Sequence, residues 1–150
     1  MADTDKTLDF GPLDDMIGIA LQRAFFGAYG YFNAYMGPDF KPGFYSTLAL
    51  LLRNPGISQK QLAAAIRRDK STLVPFLNKM EADGWVVRKR SQSDGRAHEL
   101  YLTSKGEEVV QSAEAKVKTL EATLSTKMGE DDFAKLLQLL RDFDEVVAGL

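Results

Sequence analysis

Residues 57–106 read "ISQKQLAAAIRRDKSTLVPFLNKMEADGWVVRKRSQSDGRAHELYLTSKG". The hydrophobic period changes inside this stretch, and that change decides the fold. Ser58 with Gln61 three residues on is a capping-box pattern. It opens a short helix whose apolar edge is Leu62, Ala65 and Ile66. Arg67-Arg68 make a brief link. Asp69 then caps a second helix that ends at Gly84. Leu73, Phe76, Leu77 and Met80 recur at three and four and face inward, which leaves Ser71, Thr72, Pro75, Asn78 and Lys79 on the other side. From Trp85 to Arg90 and from Ala97 to Thr103 the pattern becomes strand-like, and Asp94-Gly95 marks the turn between them. Two short helices, a tight link and a hairpin predict a winged helix-turn-helix.

Outward from this core the chain is helical. "LDDMIGIALQRAFFGAYGYFNAYM", Leu13 to Met36, is a long helix, with Asp14 and Asp15 in its first turn and Gly37-Pro38 as its stop. Pro42 to Arg53 carries a stripe of Phe44, Leu48, Leu51 and Leu52 and ends at Asn54-Pro55-Gly56. After Thr103 a helix runs to about Met128, with Val109, Val110, Ala113, Val117, Leu120 and Leu124 on one side. Past Gly129 a last helix carries Phe133, Leu136, Leu137, Leu140, Phe143 and Val147. The fold class expected is mainly α with a small β-hairpin wing. The expected division is one domain over 1–150, a winged helix-turn-helix part over 42–103, and helical dimerisation parts over 13–37 and 104–148.

Charge divides the chain in the same way. The formal net charge is only −2, yet residues 53–105 hold eleven Lys/Arg against five Asp/Glu. The flanking segments are both acidic, at −3 for 1–52 and −5 for 106–150. A basic centre between acidic ends suits a protein whose centre alone faces a polyanion. Within that centre "RKRSQSDGR", Arg88 to Arg96, gathers four basic residues in nine positions.

Other classes are excluded or weakened. Cysteine is absent, so disulfides and thiolate chemistry are ruled out, and one histidine, His98, cannot build a Cys/His zinc site. No nucleophile with a base, acid/base pair, metal cluster or phosphate loop is visible, so neither an enzyme nor a cofactor is expected. His98 reads as a surface residue on a strand. No apolar run approaches the roughly 20 residues a membrane helix needs, and "MADTDKTLDF" is too acidic for a signal peptide. The expected location is the cytoplasm of a bacterium or archaeon, with no membrane partner.

The quoted stretch resembles the winged helix-turn-helix core of the MarR family of transcriptional regulators. Its most specific pieces are "DKSTL", "ADGWVVRKR" and "SDGR…LYLTSKG", and the resemblance extends over roughly Leu13 to Val147. It implies a homodimer binding double-stranded DNA, with many relatives releasing DNA on binding a small aromatic or anionic compound. It implies that Ser71, Thr72, Pro75, Asn78 and Lys79 meet the major groove. Arg96 corresponds to a wing arginine in the minor groove, and Asp94 to the aspartate that steadies it. Arg88 and Arg90 suit phosphates, as do Arg67 and Arg68, and Ser58 and Lys70 complete the candidate set. The chain departs from the family pattern at Pro75, where a polar or basic residue is common, and at Gly95, where an arginine is. Arg67-Arg68 also stand in a turn that usually holds glycine.

Phe25, Tyr29 and Phe32 share a face of the first helix. With Phe44 they are read as walls of an apolar effector pocket, and Arg23 as the counter-charge of an aromatic acid or related ester. The leading function is a ligand-responsive dimeric regulator, a repressor, on a pseudo-palindromic operator. The alternatives are a sequence-tolerant architectural DNA protein without effector and a helical protein–protein adaptor.

Overall fold

A computed structural model describes residues 9–37, 40–91 and 98–150. A 3₁₀ turn, Gly11–Asp15, precedes α1 (Ile17–Met36) and α2 (Pro42–Arg53). These lead to β1 (Ile57–Ser58), α3 (Gln59–Ala65), α4 (Lys70–Ala82), β2 (Val86–Arg90) and β3 (His98–Leu102). Two long helices, α5 (Ser104–Met128) and α6 (Glu130–Ala148), finish the chain.

The expected winged helix-turn-helix is present. Ser58 and Gln61 form both arms of the capping box at the start of α3. Asp69 caps α4 by accepting the Thr72 N–H at 2.7 Å. The end of α4 is a full Schellman turn. Gly84 takes φ +75°, its N–H donates to the Glu81 carbonyl at 3.0 Å, and the Trp85 N–H donates to Met80 at 2.8 Å. That turn redirects the chain into β2. β2 pairs antiparallel with β3 in a register that sets Val86 opposite Leu102, Arg88 opposite Leu100 and Arg90 opposite His98.

The sheet has one strand more than the hairpin. Among the described residues its order is β1-β3-β2, with Ile57 opposite Leu100 and Ser58 opposite Glu99. The two-residue β1 is too short to leave a periodic trace, and its pairing is non-local.

Phe44, Leu48 and Leu51 of α2, Leu62 of α3, and Leu73, Leu77 and Met80 of α4 form one buried cluster. Val86, Leu100 and Val110 close it from the sheet and α5. Leu52, placed in the same stripe by spacing, is 36% exposed, and Ala65 also faces outward. The first helix starts later than the spacing suggests. Met16 is extended, at φ −89° and ψ 119°, so Leu13 to Asp15 belong to the 3₁₀ turn. Asp14 there pairs with Arg23 at 2.9 Å instead of facing the helix N-terminus.

Thr103 and Gly106 bind the wing to α5. The Thr103 hydroxyl donates to the Gly84 carbonyl at 2.6 Å and accepts the Gly106 N–H at 3.0 Å. A Cβ at position 106 would lie 2.0 Å from the Trp85 carbonyl oxygen, which is backbone and cannot swing away. Gly106→Ala should therefore cost about 1–3 kcal/mol through overpacking. Thermal unfolding should show a midpoint lower by several degrees, and an unchanged midpoint would refute the contact.

Candidate nucleic-acid interface

The outward face of α4 presents what its spacing promised. Ser71, Pro75, Asn78 and Lys79 are exposed and Thr72 is half-buried, while Leu73, Leu77 and Met80 anchor the opposite side. Pro75 stands inside a helix that runs unbroken from Lys70 to Ala82. It has no N–H to give the Ser71 carbonyl.

At the head of this face the Asp69 carboxylate accepts from the Ser71 hydroxyl at 2.6 Å as well as from the Thr72 N–H. These bonds, the Ser71 hydroxyl first, hold the Asp69 carboxyl below its ordinary value. A depressed folded-state pKa means the cap is complete above the ordinary carboxylate range and is lost only as pH falls below it.

The cations around this face differ in how free they are. Lys79 is bound by both Asp83 carboxylate oxygens, at 2.9 and 2.8 Å. Lys89 lies over the Tyr101 ring, 4.7 Å from its centroid. Arg90 is exposed at the end of β2, opposite the exposed His98. Arg88, expected from sequence to suit a phosphate, is the least exposed of these four cations. Its guanidinium turns in under α4, donating to Glu81 at 2.5 Å and to the Asn78 carbonyl oxygen at 2.8 Å. Nothing in the spacing signals this, because the partners are seven and ten residues away across a helix–strand crossing.

The link before α4 also carries internal work. Arg67 sits at φ +49°, which explains why a glycine suits that turn, and its guanidinium pairs with Asp144 of α6. Arg68 stacks over the Phe76 ring at 5.0 Å. Ser58 spends its hydroxyl on the cap of α3, donating to and accepting from Gln61. The Lys70 side chain, Asp94 and Arg96 lie outside the described residues.

The proposed aromatic pocket is only partly assembled. Phe25 and Tyr29 are neighbours, with ring centroids 6.0 Å apart, and Phe32 is half-buried on the same helix. Phe44 is not among them. It is 3% exposed and its ring neighbours are Phe40, Phe76 and Trp85, so it is a core residue. The stripe in α2 correctly marked a face, but that face packs on α4 and the sheet. Arg23 is occupied by Asp14 and lies over Phe10 at 4.8 Å. A different cleft of ≈ 280 Å³ opens between the end of α1 and α5. Met36, Phe40, Val109 and Ala113 line it, with Glu108, Ser112 and Lys116. Phe40 and Lys116 were not singled out from sequence: one lies outside any helical stripe, and the other is a charge on a helix flank.

A recognition helix buttressed by a second short helix and flanked by a hairpin defines a winged helix-turn-helix protein. The MarR family model matches residues 42–98. A Thauera aromatica protein assigned as transcriptional regulator of the hcr operon is 29% identical over 133 residues, covering 87% of this chain and 80% of its own length. The transcriptional repressor CouR, bound to a 23-mer DNA duplex, superposes with a TM-score of 0.86 at 34% identity, over 92% of this chain and 99% of that one. CouR bound to p-coumaroyl-CoA gives 0.85 at 31% identity, over 92% and 98%. The chain belongs to the MarR family, and its relatives are transcriptional regulators and not enzymes. No helix among the described residues is long and apolar enough to cross a membrane.

The cap on α4 can be checked directly. Asp69→Ala should speed hydrogen exchange of the Thr72 amide, and Asp69→Asn should leave it protected. In the wild type that protection should hold down to the ordinary carboxylate range and fade only below it. Equal exchange in all three proteins at neutral pH would remove the cap from the account.

Proposed function

We propose that this chain is a homodimeric, ligand-responsive transcriptional repressor. Each protomer sets α4 into a major groove and its wing along the adjacent minor groove of a pseudo-palindromic operator. The observation that carries this reading is the likeness to CouR. That repressor matches 92% of the chain at 34% identity while bound to duplex DNA. The exposed face of α4 and the concentration of Lys/Arg between 53 and 105 support the same reading.

In this reading residues 42–103 are the DNA-binding part, and 13–37 with 104–148 are the dimerisation part. Support for the second comes from surface left uncovered. Phe25 and Phe26 of α1 are 59% and 62% exposed, and Leu136, Leu137, Leu140, Phe143 and Val147 of α6 are all exposed. Helical stripes of this kind are held in place by packing against another apolar face. A two-fold dimer would set its recognition helices about 34 Å apart, one turn of DNA. Light scattering at micromolar concentration should give twice the chain mass. Footprinting should show two protected half-sites one turn apart, and diffuse protection would favour an architectural role. Arg90→Ala and Arg96→Ala should each lower the salt slope of binding by about 1.

The effector is an aromatic acid or its thioester. The cleft between α1 and α5 supports this, because Phe40, Met36 and Val109 offer apolar cover and Lys116 offers a cation. CouR's complex with p-coumaroyl-CoA sets the precedent. Addition of an aromatic acyl-CoA should release operator DNA from the wild type and release less from Lys116→Ala. No release by any aromatic acyl-CoA or free aromatic acid would remove the effector from the proposal.

A further inference from the structure

We infer that Arg88 is a positioning residue that fixes what Asn78 can read, and not a phosphate contact in its own right. The inference rests on the DNA-binding reading above. Arg88 is the third residue of β2, and its side chain is only 21% exposed. One guanidinium nitrogen donates to Glu81 Oε2 at 2.5 Å and the other to Asn78 Oδ1 at 2.8 Å. Asn78 and Glu81 are three apart on α4, so one planar fork spans one helical turn. The remaining guanidinium nitrogen, Nε, is buried and has no hydrogen-bond partner among the described residues. A cation this far from open water gains from a close counter-charge, and Glu81 supplies one. Each of these contacts draws the guanidinium under the helix.

The consequence falls on the amide. A guanidinium has donors and no acceptor, so the Asn78 atom facing it must be the oxygen. The amide is thereby locked with Oδ1 inward and the Nδ2 hydrogens outward on the exposed face of α4. An asparagine paired with adenine needs both an acceptor and a donor turned toward the base. Locked as it is here, Asn78 offers donors. The base edge that fits is rich in acceptors, and guanine, with N7 and O6 side by side in the major groove, fits best. Arg88 thus sets specificity at a distance, through the orientation of one amide.

The test starts with in vitro selection from a random-sequence duplex library, using the wild type, Arg88→Ala and Arg88→Lys. The wild type should select a guanine at one position in each half-site. Arg88→Ala should relax that position toward adenine. It should lower affinity for the selected duplex roughly 10- to 100-fold, with little change on a scrambled duplex of equal length. The salt slope should stay unchanged. Arg88→Lys keeps the charge but loses the fork, so it should behave like Arg88→Ala in selection. A lysine serving a phosphate would instead behave like the wild type. Losses for Arg88→Ala and Asn78→Ala should not add, and the double variant should match the weaker single one. The proposal is overturned if Arg88→Ala lowers the slope by about one and weakens both duplexes equally. It is equally overturned if Arg88→Lys selects the wild-type sequence or if the two losses add. Absence of any duplex binding by the wild type at low salt would be a separate result, sinking the DNA-binding reading itself.

Discussion

Recognition helix, wing and α5 meet at one backbone junction, and the geometry of the reading head depends on it. The Schellman turn at Gly84 ends α4 and launches β2. The Trp85 carbonyl accepts the Thr103 N–H at 3.0 Å, which closes the base of the hairpin. The same carbonyl lies where any side chain at position 106 would have to be, so α5 can start close against the strand only from a glycine. The Thr103 hydroxyl ties these pieces together by bonding Gly84 and Gly106 at once. A net hydrogen bond contributes only about 0.5–1.5 kcal/mol. The effect of this junction is therefore less one of stability than of angle. It determines how β2 and β3 stand relative to α4, and hence, in the reading proposed above, which cations can follow a groove that α4 enters.

Local signals in the sequence were legible because their physics is local. Ser58 with Gln61, Asp69, Gly84 and Thr103 each settle a helix end within a few residues, and the structure has all four ends where those residues put them. The face of α4 was also legible, since a 3.6-residue period needs no knowledge of the partner. What escaped reading depends on contacts distant in sequence. β1 exists only because Leu100 lies opposite Ile57. Phe44 shares a stripe with Leu48 and Leu51, but a stripe does not say which aromatic residues it will meet. It met Phe76 and Trp85 instead of Phe25. Arg88 could be recognised as a cation but not as a strut, because the helix crossing that brings Glu81 and Asn78 to it is a property of the fold.

Net charge is a coarse guide to which cations are free for a polyanion. The segment from 53 to 105 is strongly basic, yet several of its cations are already engaged: Arg67 with Asp144, Lys79 with Asp83, and Arg88 with Glu81. Lys79 and Arg67 are well exposed, and exposed pairs of this kind contribute about 0–1 kcal/mol, so a phosphate can displace the carboxylate at little cost. Arg88 is different in kind. Its side chain is only 21% exposed, and moving it to a phosphate would give up its bonds to both Glu81 and Asn78. On the reading proposed above, burial, more than the presence of a partner, separates cations available to DNA from those that shape the surface it meets.

The two halves of the chain are held by different means. The winged part shares one buried core, from Phe44 to Val110, with α5, and its helix ends are capped by side chains at Ser58, Asp69 and Thr103. Among the described residues neither α1 nor α6 contributes a buried side chain, and neither has a side-chain cap at its start. A helix of 20 residues, about 30 Å long, gains most of its stability from burying an apolar face. α1 and α6 leave apolar side chains uncovered in a single copy, and a second copy is the cover proposed above. The cleft beside Phe40 lies between α1 and the winged core, because Met36 ends α1 while Val109 belongs to the part of α5 that packs on that core. An occupant there touches both the end of α1 and the stretch of α5 beside the winged core. In the dimer proposed above, its binding free energy acts on the angle between them, which two recognition helices set one DNA turn apart cannot leave free.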